Sequence, residues 1–160
     1  MSLVYLILGG NQGNRLEIIS RAIDLVTSEI GQKIASSACY ESESWGFKSE
    51  PFINQVIIIN TVLSPMEVLG LTQQIEIQLG RTRKADGYQA RPIDIDLLYY
   101  DAQILRTKEL QLPHPRVAAR KFVLVPLAEV APDFRDPVTG RSVLGMLAVC
   151  EDACSVAKIS

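Results

Sequence analysis

The sequence Arg91-Pro92-Ile93-Asp94-Ile95-Asp96-Leu97-Leu98 alternates apolar and acidic side chains and runs on into Tyr99-Tyr100. Such a period marks a half-buried strand, here Ile93 to Tyr100, because successive strand side chains leave opposite faces. Ile93, Ile95 and Leu97 then enter a core, while Asp94 and Asp96 share the other face, roughly 6.5 Å apart along the chain. Two carboxylates so placed repel each other unless a cation neutralises them. Oxygen-only ligands favour magnesium, which keeps water and takes further ligands from phosphates. A solvated strand face carrying two ordinary acids explains the same residues, so the pair gains weight only from its surroundings.

Those surroundings are basic. Gly80-Arg81-Thr82-Arg83-Lys84 and Arg91 lie directly ahead of the acidic strand. Guanidinium forks match phosphate oxygens, and arginines with paired aspartates are what phosphoryl transfer requires, since positioning and charge neutralisation supply most of its catalysis. The plainer reading of the same loop is a solvated run of charge.

Further out, Ser64, Pro65 and Glu67 form a capping box with proline at the first helical position. Val68, Leu71, Ile75 and Leu79 recur at helical spacing until Gly80. Before that helix come two β-rich runs, Lys33 to Tyr40 and Phe52 to Leu63. The chain opens with a continuous apolar run from Leu3 to Leu8, a turn from Gly9 to Asn14, and a helix carrying Leu16, Ile19, Ile23, Val26 and Ile30. Asn14 is its expected N-cap and Gly31 its stop. The order strand, helix, strand, strand, helix, strand predicts an α+β fold: a ferredoxin-like βαββαβ core with two helices on one face of an antiparallel sheet. From Asp101 on, a C-terminal appendage of short elements is expected, with helices over Lys121 to Val130 and near Ser142 to Val149.

At 160 residues with 48% hydrophobic residues, the chain predicts a single domain spanning 1–160. A formal net charge of −2 argues against nucleic acid as a partner, which normally needs a broad basic face. Cys39, Cys150 and Cys154 form neither a disulfide framework nor a CxxC pair, so a reducing, cytoplasmic setting is expected. The run Val4 to Leu8 is too short for a signal h-region or a membrane span, and no membrane partner is expected.

Other candidate groups have two readings each. The turn after the first strand lacks the Gly-Lys-Ser/Thr of a Walker loop and the spacing of a dinucleotide fingerprint, which leaves Asn11 for a polar contact. His114 is the only histidine, set between Pro113 and Pro115 with Arg116 and Arg120 nearby. It is either structural or a phosphate contact. Trp45, Phe52, Tyr88 and Phe122 are either core aromatics or rings that hold a flat heterocycle.

Taken together, Gly9-Gly10-Asn11, Phe52-Ile53-Asn54-Gln55, Ile75-Glu76 through Lys84, Arg91 through Leu98, Leu112-Pro113-His114-Pro115-Arg116 and Arg120-Lys121-Phe122 resemble the 6-hydroxymethyl-7,8-dihydropterin pyrophosphokinase family. The resemblance runs from Leu3 to about Leu147. It implies a transferase, a kinase of folate biosynthesis, that moves pyrophosphate from ATP to a pterin alcohol and releases AMP. Two magnesium ions are expected on Asp94 and Asp96. Arg81 and Arg91 match phosphate-holding catalytic arginines, and Arg83 a neighbour on the same loop. Gln73, Glu76, Leu97, Gln111, His114 and Arg120 match positions on the ATP side. The pterin is expected between Phe52 and Phe122, with Asn54 and the segment Ser42, Glu43, Ser44, Trp45 and Gly46 along its polar edge and Tyr88 covering it. The chain departs from the common pattern in that segment, at Phe52 where tyrosine is frequent, and at Gln89-Ala90 where Gly-Pro is typical. Small-molecule substrates and a monomer or weak dimer are expected. The competing readings are another magnesium-dependent nucleotidyl or phosphoryl transferase on the same fold and a noncatalytic ferredoxin-like ligand-binding module.

Overall fold

The apolar run at the start of the chain becomes an interior strand of a sheet. In the structure, a computed structural model that describes residues 1–43, 51–80 and 92–159 and the backbone of 82–83 and 89–90, the run is β1 (Ser2–Gly10). Then follow α1 (Arg15–Glu29), β2 (Gln32–Ser36), β3 (Tyr40–Ser42), β4 (Phe52–Thr61) and α2 (Pro65–Gln78). The two-residue strands β5 (Thr82–Arg83) and β6 (Gln89–Ala90) precede β7 (Asp94–Tyr100), β8 (Leu105–Arg106) and β9 (Gln111–Leu112). A 3-10 turn (Val117–Ala119), α3 (Lys121–Val130), α4 (Val143–Val149) and β10 (Val156–Lys158) complete the chain. No helix among the described residues is long and apolar enough to cross a membrane.

The local signals act as anticipated. The Asn14 side chain accepts the Glu17 N–H at 3.2 Å and starts α1. Ser64 and Glu67 cap α2 reciprocally, with the Ser64 N–H on the Glu67 carboxylate and the Glu67 N–H on the Ser64 hydroxyl. β1 pairs antiparallel with β4 on one side and β7 on the other, and the sheet order is β10, β3, β4, β1, β7, with β2 also on β4. The run Lys33 to Tyr40, expected as one strand, is two. The Ser37 hydroxyl accepts the Val56 N–H while the Ser37 N–H donates to the Val56 carbonyl, and this side-chain substitution interrupts the ladder between β2 and β3.

Each face of the sheet buries a separate core. Val4, Leu6, Leu8, Ile57, Ile59, Ile95 and Leu97 pack beneath α1 and α2. Tyr5, Ile7, Val56, Ile58, Leu98 and Tyr99 pack beneath α3 and α4. The C-terminal portion, expected as an appendage, therefore forms a second helical layer with its own core. Glu129 near the end of α3 accepts the Ala38 N–H and the Tyr40 hydroxyl, tying that helix to the gap between β2 and β3. Burial and this carboxylate push the Tyr40 hydroxyl up to about 12. The last strand, β10, was not anticipated. It extends the sheet along β3, pairing Val156 with Ser42 and Lys158 with Tyr40.

At the end of β1, Gly9 lies opposite Asn54 on β4 and Asp94 on β7. A Cβ on Gly10 would overlap the Pro92 carbonyl, and one on Gly9 would overlap the Asn54 side chain. Absence of side chains there lets the segment leading into β7 approach β1. Gly10→Ala is expected to destabilise the protein by about 2 kcal/mol, because Pro92 presents rigid backbone rather than a movable side chain. Urea unfolding of the variant checks this, and an unchanged midpoint would show that the approach is not tight.

Candidate active site

Alternation along β7 places Ile95 and Leu97 in the core beneath α1 and α2, 4% and 3% exposed, and leaves Asp94 half-buried and Asp96 exposed on the opposite face. The alternation then slips. The register between β1 and β7 shifts after Leu97, so that Leu6 pairs with Leu97 and Tyr5 with Tyr99. Leu98 is the extra residue of a bulge, and Leu98 and Tyr99 both join the core beneath α3. Along that face β7 thus passes from apolar side chains to two carboxylates.

Where the second core ends, a cavity of about 830 Å³ opens. Ile7, Gly9 and Leu98 line its floor, and Asp94 and Asp96 face into it. Ser42, Phe52 and Asn54 bring in β3 and β4 on one side. Arg120, Phe122 and Val123 bring in the start of α3 on the other. Asn54 and Ser42 are themselves buried, 7% and 5% exposed. Arg15 holds the flank of this wall, donating to the Pro51 carbonyl at 2.7 Å and pairing with Glu41 at 3.4 Å.

The histidine loop is attached through the bulge, since the His114 N–H donates to the Leu98 carbonyl at 2.9 Å. His114 Nδ1 accepts the Arg116 N–H at 3.2 Å, so a neutral ring carries its proton on Nε2. Burial pushes the imidazole below its usual value; Arg120 and Arg116 add to the effect and Asp96 opposes it. Arg120 stands 5.5 Å over the Phe122 ring, a cation–π arrangement that couples the basic side of the cavity to its aromatic side. Burial and Arg116 lower the Arg120 guanidinium, while Asp96 and Asp152 oppose that shift.

The cavity therefore gathers Ser42, Glu43, Phe52, Asn54, Asp94, Asp96, His114, Arg120 and Phe122 from the sequence-based expectations. Gln73, Glu76, Leu97 and Gln111 are not among its lining residues. Gln73 is exposed on α2, Gln111 is exposed on β9, and the Leu97 side chain is in the core beneath α1 and α2. Glu76 is 5% exposed, and its carboxylate accepts the Ile95 N–H at 2.9 Å, between the two aspartates in sequence. Ser44, Trp45, Gly46, Arg81, Tyr88 and Arg91 lie outside the described residues, as does the Arg83 side chain. Arg116 and Asp152 line the cavity and were not anticipated as site residues. Arg116 was legible within the histidine motif. Asp152 had one signal: α3 begins after Arg120, which cannot cap a helix, so its first N–H needs an acceptor from elsewhere.

Among the described residues no group of three or more His, Cys, Asp or Glu side chains could hold a metal ion. The Asp94 and Asp96 pair nevertheless suits a hard cation that keeps water and shares phosphate oxygens, because its donors are all oxygen and it opens on a cavity large enough for the rest of the coordination shell.

Residues 5–132 match the family model described as 7,8-dihydro-6-hydroxymethylpterin-pyrophosphokinase. The chain belongs to this pyrophosphokinase family. The Porphyromonas gingivalis protein named 2-amino-4-hydroxy-6-hydroxymethyldihydropteridine pyrophosphokinase is 43% identical over 136 residues, covering 82% of this chain and 92% of its own. The Aquifex aeolicus protein of the same name is 38% identical over 140 residues, covering 86% of each chain. A solved Plasmodium falciparum HPPK-DHPS protein with pteroate has a TM-score of 0.75 at 14% identity. That likeness concerns the fold alone. It covers 92% of this chain and 42% of the other, so the chain spans about two fifths of that longer protein.

The lowered His114 carries a stability consequence. Unfolded, this histidine takes up a proton near pH 6.5, whereas the folded ring takes it up only at lower pH. Stability therefore falls as pH drops below 6.5 and levels off once the folded ring is protonated. Urea midpoints at pH 7.5 and 5.5 should differ less for His114→Gln than for the parent, and equal differences would refute the shift.

Proposed function

We propose that the protein, as one domain spanning 1–160, transfers pyrophosphate from ATP to the hydroxymethyl oxygen of 6-hydroxymethyl-7,8-dihydropterin and releases AMP, a step of folate biosynthesis. The observation that carries the proposal is the single cavity onto which Asp94 and Asp96, His114 and Arg120, and Phe52, Asn54 and Phe122 all open. Polyphosphate chemistry and a flat heterocycle can thus meet in one space. Family membership, with relatives named as pyrophosphokinases at 43% and 38% identity, supports the same reaction.

In this reaction the hydroxymethyl oxygen attacks the β-phosphorus in line. A new oxygen–phosphorus bond forms, the bond from the β-phosphorus to the α-bridging oxygen breaks, AMP leaves, and the hydroxyl proton is given up. Phe52 and Phe122 hold the pterin between them, and the buried Asn54 amide reads its hydrogen-bonding edge. Arg120 and the His114 Nε2–H donate to phosphate oxygens, which gain charge as the transfer proceeds. With Nδ1 already accepting the Arg116 N–H, His114 acts as a donor rather than a base, which leaves a cavity carboxylate such as Asp96 to take the hydroxyl proton. Asp94 and Asp96 are the residues that would hold magnesium, two ions in our reading, and the metal supplies charge neutralisation on the polyphosphate when bound. Assignment of Arg81, Arg83 and Arg91 to phosphate, of Gln73, Glu76, Leu97 and Gln111 to the nucleotide, and of Ser42 to Gly46 and Tyr88 to the pterin is by family resemblance.

The ferredoxin-like reading of the core is supported by the antiparallel neighbours of β1, with β4 on one side and β7 on the other. A reducing, cytoplasmic setting is supported by the free state of Cys39, Cys150 and Cys154. The net charge of −2 favours small-molecule substrates over nucleic acid, and we read the protein as a monomer or weak dimer.

Incubation with ATP, magnesium and the pterin alcohol should yield AMP and the pterin diphosphate in equal amounts. Formation of ADP would point instead to a monophosphoryl transferase. Asp96→Ala should lower turnover by at least about 10²-fold while leaving the urea midpoint in place, because an exposed carboxylate contributes little to the core. Normal turnover by that variant would remove Asp96 from the chemistry. Phe122→Ala should weaken pterin binding by on the order of 1 kcal/mol beyond the lost contact area and affect ATP binding much less. Equal losses for the two ligands, read by calorimetry, would exclude the ring pair.

A further inference from the structure

Asp152 lies beyond residues 5–132 of the family match, yet it lines the cavity and bonds to the start of the helix that forms one of its walls. One carboxylate oxygen accepts the Lys121 N–H at 3.0 Å, and the other accepts the Cys154 N–H at 2.9 Å. Lys121 is the first residue of α3, and Arg120 before it makes no side-chain cap. A helix start leaves its first N–H groups without partners inside the helix, and an aspartate is among the best acceptors for them. Here the acceptor comes from the C-terminal segment instead of from the residue at the helix start.

The same segment is fastened to the opposite wall. β10 follows Asp152 and pairs with β3, and the Ile159 N–H donates to the Cys39 carbonyl at 3.0 Å. The Val156 register partner is Ser42, which lines the cavity and pairs in turn with Phe52. The segment that carries Asp152 therefore links the helix that carries Phe122 to β3, the neighbour of the strand that carries Phe52. Glu129 fastens α3 at its other end, and Asp152 supplies the hydrogen bond at the cavity end.

We propose that Asp152 is a positioning residue for the pterin side of the site: by capping α3 from the C-terminal segment it sets Phe122 against Phe52. The two backbone N–H groups, with Lys121 and Arg120, hold the Asp152 carboxyl below the usual carboxylate range, so it is ionised at neutral pH. An anion at this end of α3 also suits the helix dipole. Asp152 touches neither reacting atoms nor the metal pair in this role. Its removal loosens the aromatic wall and leaves Asp94 and Asp96 in place on β7.

The test uses the full chain and two variants, and it rests on the proposed reaction only in part. Amide exchange at Lys121, read without substrates, should be at least about tenfold faster in Asp152→Ala than in the parent. In the AMP-release assay the same variant should raise the KM for the pterin alcohol about fivefold, with kcat and the KM for ATP within about twofold. Asp152→Asn keeps one acceptor oxygen for the Lys121 N–H and should recover most of both effects, and it also serves if the alanine variant fails to fold. Unchanged protection at Lys121 would overturn the cap. Faster exchange with an unchanged pterin KM, or equal increases in both KM values, would overturn the positioning role. Failure of the parent to release AMP would instead refute the proposed reaction, and the exchange measurement would still decide the cap.

Discussion

Burial of one side of β7 is the constraint from which the rest of the site follows. Ile93, Ile95 and Leu97 are 0%, 4% and 3% exposed beneath α1 and α2. At about 1.5–3 kcal/mol for each large aliphatic side chain kept from water, turning the strand over would forfeit about 5–9 kcal/mol. That is comparable with the whole stability of a typical domain. Mutual repulsion of two carboxylates about 6.5 Å apart amounts to about 0.6 kcal/mol in water and about 2.6 kcal/mol at the effective dielectric near a protein surface, where the half-buried Asp94 sits. The core therefore outweighs the repulsion, and Asp94 and Asp96 are held side by side whatever their charges prefer. Glu76 adds a second restraint by accepting the Ile95 N–H between them.

A cavity exists because the second core stops before β7 does. Tyr5, Ile7, Val56, Ile58, Leu98 and Tyr99 fill the space beneath α3 and α4. Beyond Ile7 and Leu98 the strands present Gly9, Asp96, Asp94 and Asn54, none of which can complete an apolar layer. The bulge at Leu98 contributes twice. It turns Leu98 and Tyr99 together toward α3, and the Leu98 carbonyl receives the His114 N–H, which fixes the histidine loop to the strand that carries the aspartates. Packing, strand irregularity and the placing of His114 beside the aspartates are thus parts of one arrangement.

Elements governed by local physics were legible in the sequence. The Asn14 and Ser64 caps, the period of Ile93 to Leu97 and the helix from Lys121 to Val130 each depend on residues within a few positions of one another, and each took its expected form. Features set by distant partners were not legible. The break between β2 and β3 arises from the Ser37 hydroxyl meeting Val56, the Leu98 bulge from the fit of β7 to β1, and β10 from an edge offered by β3. The site divides in the same way. Asp94, Asp96, His114, Arg120, Phe52, Asn54 and Phe122 stood in recognisable motifs and meet in one cavity. Asp152 belongs to no motif, because its importance comes from an uncapped helix 31 residues earlier in the chain.

In the proposed reaction the paired aspartates would hold divalent ions that neutralise a polyphosphate whose acceptor lies between Phe52 and Phe122. The most direct measurement is anomalous diffraction from crystals grown with manganese, a nonhydrolysable ATP analogue and the pterin alcohol. The account predicts manganese peaks beside Asp94 and Asp96, bridged to the analogue's phosphates, with the pterin ring between the two phenylalanines. Phosphates lodged elsewhere, with no metal at those carboxylates, would contradict it.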